Sequence, residues 1–533
     1  MTAQASTDTA PDRPPSISAE RVRDLLGRIT AGATGQPVKT VTTYAPYTTE
    51  PMADVPQSSV DDVATAFARA HAAQQEWTRR PVADRARVVL RFHDLLLERQ
   101  DEVMDLIQWE TGKARKHAFA EVMGPAVIAR HYGRRARAML KPRRALGVFP
   151  GLTKAWELRH AKGVVGIISP WNYPFELAAS DAIPALLAGN GVVSKPDSQT
   201  VLTALWAHEL MEESGLPPRL WHIVAGAGPV IGPAVIESAD FVSFTGSTPT
   251  GREVATRAAA SLTGVSLELG GKNAMIVLPD ADLDRTVAGA VDACFSSSGQ
   301  LCISMERVYV HERVYDMFTA RFADAASSMR LGSTYDFTMD MGSLISSSQL
   351  EKVTAHVEDA KTKGATVLAG GSPRPDLGPY FFEPTVLANV GPHMTVCTEE
   401  TFGPVVSVYK YRDVNEVIER ANNTPYGLTA SVWTRDTGLG RRIAARLEAG
   451  TVNVNDGFVA TYGTIGAPMG GMKDSGLGRR HGRDGLLRFT EPQTVAVQRL
   501  VVGAEPPVRW MSYNTWRKLV THGLRMLKRL HVR

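Results

Sequence analysis

The spacing of apolar positions gives the first outline of the chain. Over residues 58–112 they recur at helical intervals, first through DDVATAFARAHAAQQEW, then from Pro81 through ARVVLRFHDLLLERQDEVMDLIQ. This predicts two amphipathic helices, the second stopping at Gly112. Beyond a basic stretch at 133–144, short apolar runs alternate with helical segments. Strands are predicted at 164–169, 190–195, 221–225 and 241–245, with helices over 199–214, after Gly228 and from Thr248. Alternation at this pitch implies right-handed crossovers and a parallel sheet with helices on its faces. After 267–278 the pattern restarts with a helix over 282–295, a Ser/Gly loop ending at Cys302 and a strand at 306–310. A helix over 348–363 and strands near 405–409 and 428–434 follow, then a Gly-rich stretch at 463–478. The expected fold class is α/β, in two layers with separate cores.

Length supports more than one domain, because 533 residues exceed what a single core accommodates. A composition of 44% hydrophobic and 21% charged residues is that of a globular protein and excludes wholesale disorder. No apolar run approaches a membrane span, and residues 1–17 lack the apolar segment of a secretory signal, so they read as a disordered lead-in. The net charge of +4 is too small to imply a nucleic-acid partner. It is also unevenly placed, since residues 507–533 hold seven Lys/Arg and no acid, which leaves −3 for the rest. Within that tail Trp516, Leu519, Val520, Leu527 and Leu530 share one helical face, while Arg517, Lys518, Arg525, Lys528 and Arg529 gather opposite. Such a helix suits weak peripheral contact with an anionic membrane surface or packing on its own oligomer, and Gly523 weakens it in either case.

Three cysteines (Cys294, Cys302 and Cys397), with no CxxC or HExxH, support neither a disulfide framework nor a metal site. A reducing, cytoplasmic setting is expected, in which each thiol is a candidate nucleophile. Cys302 follows a Ser/Gly loop whose backbone could turn an N–H toward an oxyanion; a buried structural cysteine fits that pattern equally well. Glu268, between Leu267 and Leu269 at a strand end, would gain proton affinity by desolvation and suit a general base, or else simply face solvent. Gly226-Ala-Gly228-Pro-Val-Ile-Gly232 lies between strand and helix as phosphate loops do, but misses GxGxxG by one residue. Gly246-Ser-Thr-Pro-Thr-Gly251 has the outer spacing of a P-loop, with Arg252-Glu253 replacing Lys-Ser/Thr. Ser247 could still donate to a pyrophosphate.

Seven segments, taken together and in order, change this reading. PWNYP (170–174), SKPDS (194–198), FTGS (244–247), LELGGKN (267–273), GQLC (299–302), EETFGPV (399–405) and the glycine-rich 468–479 resemble the aldehyde dehydrogenase superfamily over roughly residues 40–500. Within it the chain is similar to the second type of actinobacterial succinic semialdehyde dehydrogenases. The resemblance implies a Rossmann-type cofactor domain, an α/β catalytic domain and a small oligomerisation arm. It implies Cys302 as the nucleophile toward an aldehyde, Asn172 with the Cys302 N–H as oxyanion donors, and Glu268 as the base for thioester hydrolysis. Trp171, Lys195, Ser198, Gly228, Gly246, Ser247, Gly251, Leu269, Glu400 and Phe402 would border NAD or NADP. Tyr173, Glu176, Leu177, Ser180, Ser296, Phe458 and Tyr462 would line the substrate pocket. Ser198 brings no carboxylate to the adenosine 2′ position and Lys195 brings a cation, so NADP is favoured; Asp197 is the counter-argument.

The pocket departs from the resemblance at two places. Succinic semialdehyde enzymes place arginines where this chain has Ser180 and Ser296, and hydroxyls do not replace bidentate cations. Glu176 would repel an anion. Succinic semialdehyde is therefore the expected substrate by resemblance, with medium-sized neutral aldehydes as the alternative. The expected division is 18–145 with 162–268 for the cofactor, 269–485 for catalysis, 146–161 with 486–503 for a homodimer or homotetramer, and 504–533 as the tail. A thiol esterase without hydride transfer is the rival activity, and an idle cofactor-binding protein is the rival without one.

Overall fold

The computed structural model describes residues 13–33, 35, 37–147, 153–498 and 505–530. The expected lead-in falls largely outside these, as does part of the expected arm. A six-stranded sheet runs in the order Gly476–Leu477, Gly264–Glu268, Phe241–Thr245, Val164–Ile168, Gly191–Lys195, Trp221–Ile223. Its neighbours are parallel except the first pair. A seven-stranded sheet is ordered Thr366–Ala369, Thr385–Ala388, Val405–Tyr411, Met305–His311, Asn273–Val277, Thr429–Trp433, Thr451–Val454, again parallel but for its outermost pair. The central strands are buried on both faces, which is why they read as continuous apolar runs rather than alternating ones. A three-stranded antiparallel sheet, Thr490–Gln498 against Thr153–Ala161 against Arg143–Leu146, stands apart from both.

Three details differ from the pattern of apolar positions. The helix expected from Pro81 to Gly112 is broken at Arg99 into Val82–Glu98 and Gln100–Thr111. The first piece buries one stripe, whereas every residue from Val103 to Thr111 is buried, so the chain must change direction to take the second piece into the core. The strand expected at 221–225 closes at Ile223. The third difference is topological: from the catalytic half the chain returns to the first sheet, where Gly476 and Leu477 pair antiparallel with Glu268 and Leu267.

That return is fixed by a buried carboxylate. Asp181, on the helix Pro174–Ala188, receives a bidentate pair from Arg480, a further bond from Arg488 and the Ser243 hydroxyl at 2.7 Å. Burial alone would raise its proton affinity, but the two guanidiniums outweigh this and hold it well below the usual carboxylate range. Arg480 also donates to Thr245 Oγ1 (2.6 Å) and Arg488 to Ser266 Oγ (2.7 Å), so one cluster joins the helix, two strands and the returning segment. Asp181→Ala is expected to cost about 3–5 kcal/mol by leaving two buried cations unpaired. Asp84→Ala, which removes an exposed pair with Arg87, should cost under about 1 kcal/mol. Denaturant unfolding of both variants checks this.

Candidate active site

The C-terminal ends of the parallel strands open on a cavity of about 200 Å³ between the two large sheets. Trp171, Asn172, Gly246, Ser247, Glu268, Leu269, Cys302, Glu400 and Phe402 line it, together with Thr245, Gly270, Gln349 and Lys352. Nine residues scattered over 232 positions of sequence thus share one wall. Lys195 and Ser198 lie just beyond, at the end of the strand next to Ile168. Gly228 opens the helix Gly228–Ser238 with free space where a side chain would be. Gly251 instead faces inward: a Cβ there would lie 2.4 Å from Leu269. Open strand ends of this kind are where α/β sheets bind nucleotides. Ser247 caps the helix Thr248–Ala260, so unpaired N–H groups and a positive helix end border the cleft as a pyrophosphate requires. Asp197 is otherwise engaged, since its carboxylate accepts from the Gln199 N–H at 2.9 Å and caps the short turn after Lys195.

The loop before Cys302 is held in an unfavourable backbone form. Ser297, Ser298 and Gly299 are consecutive left-handed residues, with φ of 50°, 58° and 68°. For the two serines this costs roughly 1–2 kcal/mol each. At Gly299 only glycine fits, because a Cβ would approach the Gly403 carbonyl to 2.0 Å. Side chains from several segments stabilise the loop. His117, driven down to about 3 by burial and by Lys116 and Lys113, stays neutral and accepts the Ser297 N–H at 3.2 Å. Ser298 Oγ donates to the Gly342 carbonyl (2.9 Å), and Asn172 Nδ2 donates to the Gln300 carbonyl (3.0 Å). Asn172 is in turn fixed through its own carbonyl by Lys113 Nζ (2.8 Å), which pairs with buried Glu121 at 2.6 Å. Nothing in the sequence marked Lys113, Glu121 or His117, since a lone polar residue in a helix or the turn between two helices normally faces water.

Burial governs the ionisable groups here. Cys302 is pushed up to about 12 by burial and then by Glu400 and Glu268, so its thiol rests protonated. Glu268 is 6% exposed, not solvent-facing, and burial lifts it to about 7. Its Oε1 has no hydrogen-bond partner among the described residues. Glu400, also raised to about 7 by burial and by Glu306, accepts the Gly271 N–H at 2.9 Å. Glu306, paired with Lys272, takes the N–H groups of Thr401 and Phe402 and so supports the left-handed Phe402, whose ring meets Trp171 edge-on at 5.6 Å.

On the other side of Cys302, Tyr173, Phe458 and Tyr462 pack with it in one apolar cluster. The Tyr173 hydroxyl bonds Ser297 Oγ (2.8 Å), while Ser296 ends the preceding helix and Leu177 lies one turn after Tyr173. Glu176 is raised to about 7 by burial and accepts from Ser180 Oγ at 2.7 Å, which weakens the repulsion expected of it. Cys294 is buried in the core, and Cys397 is half-buried away from the site. Among the described residues no group of His, Cys, Asp or Glu could hold a metal ion.

A cysteine facing a dinucleotide cleft, with a nearly neutral carboxyl and an amide donor beside it, defines a nucleotide-linked oxidoreductase with a thiol nucleophile. Residues 33–495 match the model of the aldehyde dehydrogenase family. A protein of Mycolicibacterium smegmatis named "Putative succinate-semialdehyde dehydrogenase [NADP(+)]" is 52% identical over 484 residues, 91% of this chain and 93% of its own. Among solved structures, succinate-semialdehyde dehydrogenase from Burkholderia pseudomallei is similar with a TM-score of 0.83 at 33% identity, covering 86% of this chain and 94% of its own. The NAD+ complex of an aldehyde dehydrogenase from Bacillus cereus is similar with a TM-score of 0.84 at 34% identity, covering 90% and 99%. The chain belongs to the aldehyde dehydrogenase family. It is an enzyme that oxidises aldehydes with a nicotinamide dinucleotide, by way of a thioester.

The raised Glu268 has a consequence for stability. The native protein binds that proton more tightly than an unfolded chain, whose carboxyl titrates near 4.5, so stability is lost as pH rises from about 4.5 through about 7. Glu268→Gln should therefore be more stable than the parent at pH 8 and close to it at pH 4.5. Thermal midpoints at the two pH values measure this.

Proposed function

We propose that the protein is an NADP-preferring succinic semialdehyde dehydrogenase, forming succinate. The observation that carries this reading is 52% identity, over nearly the whole length of both chains, to a relative whose name states that substrate and cofactor. The adenosine end of the cleft supports it: Ser198 carries no charge, Lys195 is a cation, and Asp197 is committed to its helix cap. A nicotinamide dinucleotide bound in this cleft would supply the hydride acceptor.

The remaining roles belong to this chain's own groups. Lys195 and Ser198 hold the adenosine ribose and its phosphate, Ser247 and the helix end behind it hold the pyrophosphate, and Glu400 holds the second ribose, with Phe402 and Trp171 closing over it. The Cys302 thiol, protonated at rest, gives its proton to Glu268 and its sulfur bonds to the aldehyde carbon. The oxyanion is received by Asn172 Nδ2 and the Cys302 N–H. Glu268 passes the thiol proton to solvent. After hydride loss leaves a thioester, it takes a proton from water, whose oxygen displaces the sulfur, and the departing thiolate recovers that proton. A carboxyl near neutrality suits both transfers.

The protein acts as a cytoplasmic homodimer or homotetramer in this reading. The edge strand Arg143–Leu146 and the strand Thr490–Gln498 are exposed and offer unpaired backbone and apolar Leu146 and Val497 to a partner copy. No helix among the described residues is long and apolar enough to cross a membrane. The tail helix Tyr513–Arg529 nevertheless buries none of its residues and lies beyond the family match. Its unbroken positive charge fits an anionic bilayer surface, with Leu519 and Leu530 turned toward the lipid.

Two measurements test these proposals. Wild-type enzyme should reduce NADP with succinic semialdehyde at higher kcat/KM than NAD, and Cys302→Ala should show no turnover. Strict NAD dependence would overturn the phosphate role of Lys195 and Ser198. In flotation with anionic vesicles the full chain should rise with the lipid and a chain ending at residue 506 should not; equal behaviour overturns the membrane role.

A further inference from the structure

The wall of the substrate side changes character away from the thiol. Tyr462 and Cys302 pack against one apolar cluster, and the turn that follows Tyr462, together with the helix Arg115–Leu140, borders a second, open cavity of about 350 Å³. Val127 and Ile465 form its apolar part; Arg130, His131, Arg134 and Arg135 supply the polar part, and no acid lines it. The three arginines are exposed and border the same cavity, Arg130 and Arg134 one turn apart, and among the described residues none has a carboxylate partner. His131 Nε2 is buried without a hydrogen-bond partner, and burial followed by Arg135 and Arg130 lowers its proton affinity. Like charges one turn apart on a helix destabilise it unless an anion comes between them. Forked guanidiniums beside an apolar floor match a carboxylate on a short carbon chain.

We propose that this basin is an entry site for the carboxylate of an acid semialdehyde, and for the diacid product as it leaves. The proposal rests on the substrate reading above and explains how an enzyme with serines at positions 180 and 296 handles an anionic aldehyde. Ser180 and Ser296 offer no charge there, and Glu176 stands beside Tyr462 against Gly124, where a Cβ would lie 1.8 Å from its carboxylate oxygen. From Gly124 to Arg130 the helix rises about 9 Å. That rise exceeds the length of a four-carbon chain, so an aldehyde whose carboxylate lies at the level of Glu176 does not span to the arginines. The arginines therefore act before the thiol does, concentrating the anion at the mouth, and their effect falls on KM rather than on kcat.

The test is the combined variant Arg130→Gln, Arg134→Gln, Arg135→Gln, whose exposed positions should not lower the thermal midpoint. At low ionic strength its KM for succinic semialdehyde should rise about five- to tenfold with kcat within about twofold, and the difference should shrink as salt is added. Butanal, which carries no charge, should show no change in KM. Independently of turnover, calorimetric titration of the wild type with succinate should show binding that the variant loses. A variant KM unchanged for the acid semialdehyde, or raised equally for butanal, overturns the proposal. So does a wild type whose arginine-dependent binding is for inorganic sulfate and not for succinate. If the wild type does not oxidise succinic semialdehyde yet binds succinate through these arginines, the substrate reading fails and the carboxylate site stands.

Discussion

The pairing of Asp181 with Arg480 and Arg488 is the constraint on which the rest of the structure depends. It lies where the helix following Asn172, the strands ending at Thr245 and Glu268, and the chain returning from the second sheet converge. A buried carboxylate with one cation would be a marginal contribution, since desolvating both ions offsets much of their attraction. With two guanidiniums, a serine hydroxyl and further bonds to Thr245 and Ser266, the charges are matched and their geometry is fixed. The returning segment is thereby tied to the sheet edge, and Glu268 is enclosed.

Enclosure sets the chemistry of the site. Glu268, Glu400 and Cys302 each keep their protons more tightly than in water, chiefly because the cavity wall excludes solvent; Glu306 adds to this for Glu400, and the charges of Glu400 and Glu268 add to it for Cys302. A carboxyl near neutrality can both take and return a proton, which a solvated glutamate does poorly. The nucleophile loop shows the same economy in backbone form. Two left-handed serines are unfavourable in isolation and persist because His117, Gly342 and the space limit at Gly299 leave the chain no easier path. Lys113 and Glu121 extend this support to Asn172, so the residues facing the cavity rest on buried pairs that never reach it.

The sequence by itself determined the strand and helix alternation, the two α/β layers and the candidate residues Cys302, Glu268 and Asn172, because buried parallel strands and glycine-rich turns leave local signatures and the seven motifs leave a joint one. It also determined the amphipathic tail, whose helical period needs no partner to be read. Other features have no local signature. The break at Arg99 follows from which helix the core envelops on all sides, and the antiparallel pairing of Gly476 with Glu268 joins residues 208 positions apart. Whether Glu268 faces solvent or interior, and whether Glu176 repels an anion, were decided only by what the folded chain packs around them. Charge and burial are properties of a neighbourhood, and for Lys113, His117, Asp181 and the arginines at 130, 134 and 135 that neighbourhood exists only once distant segments have met.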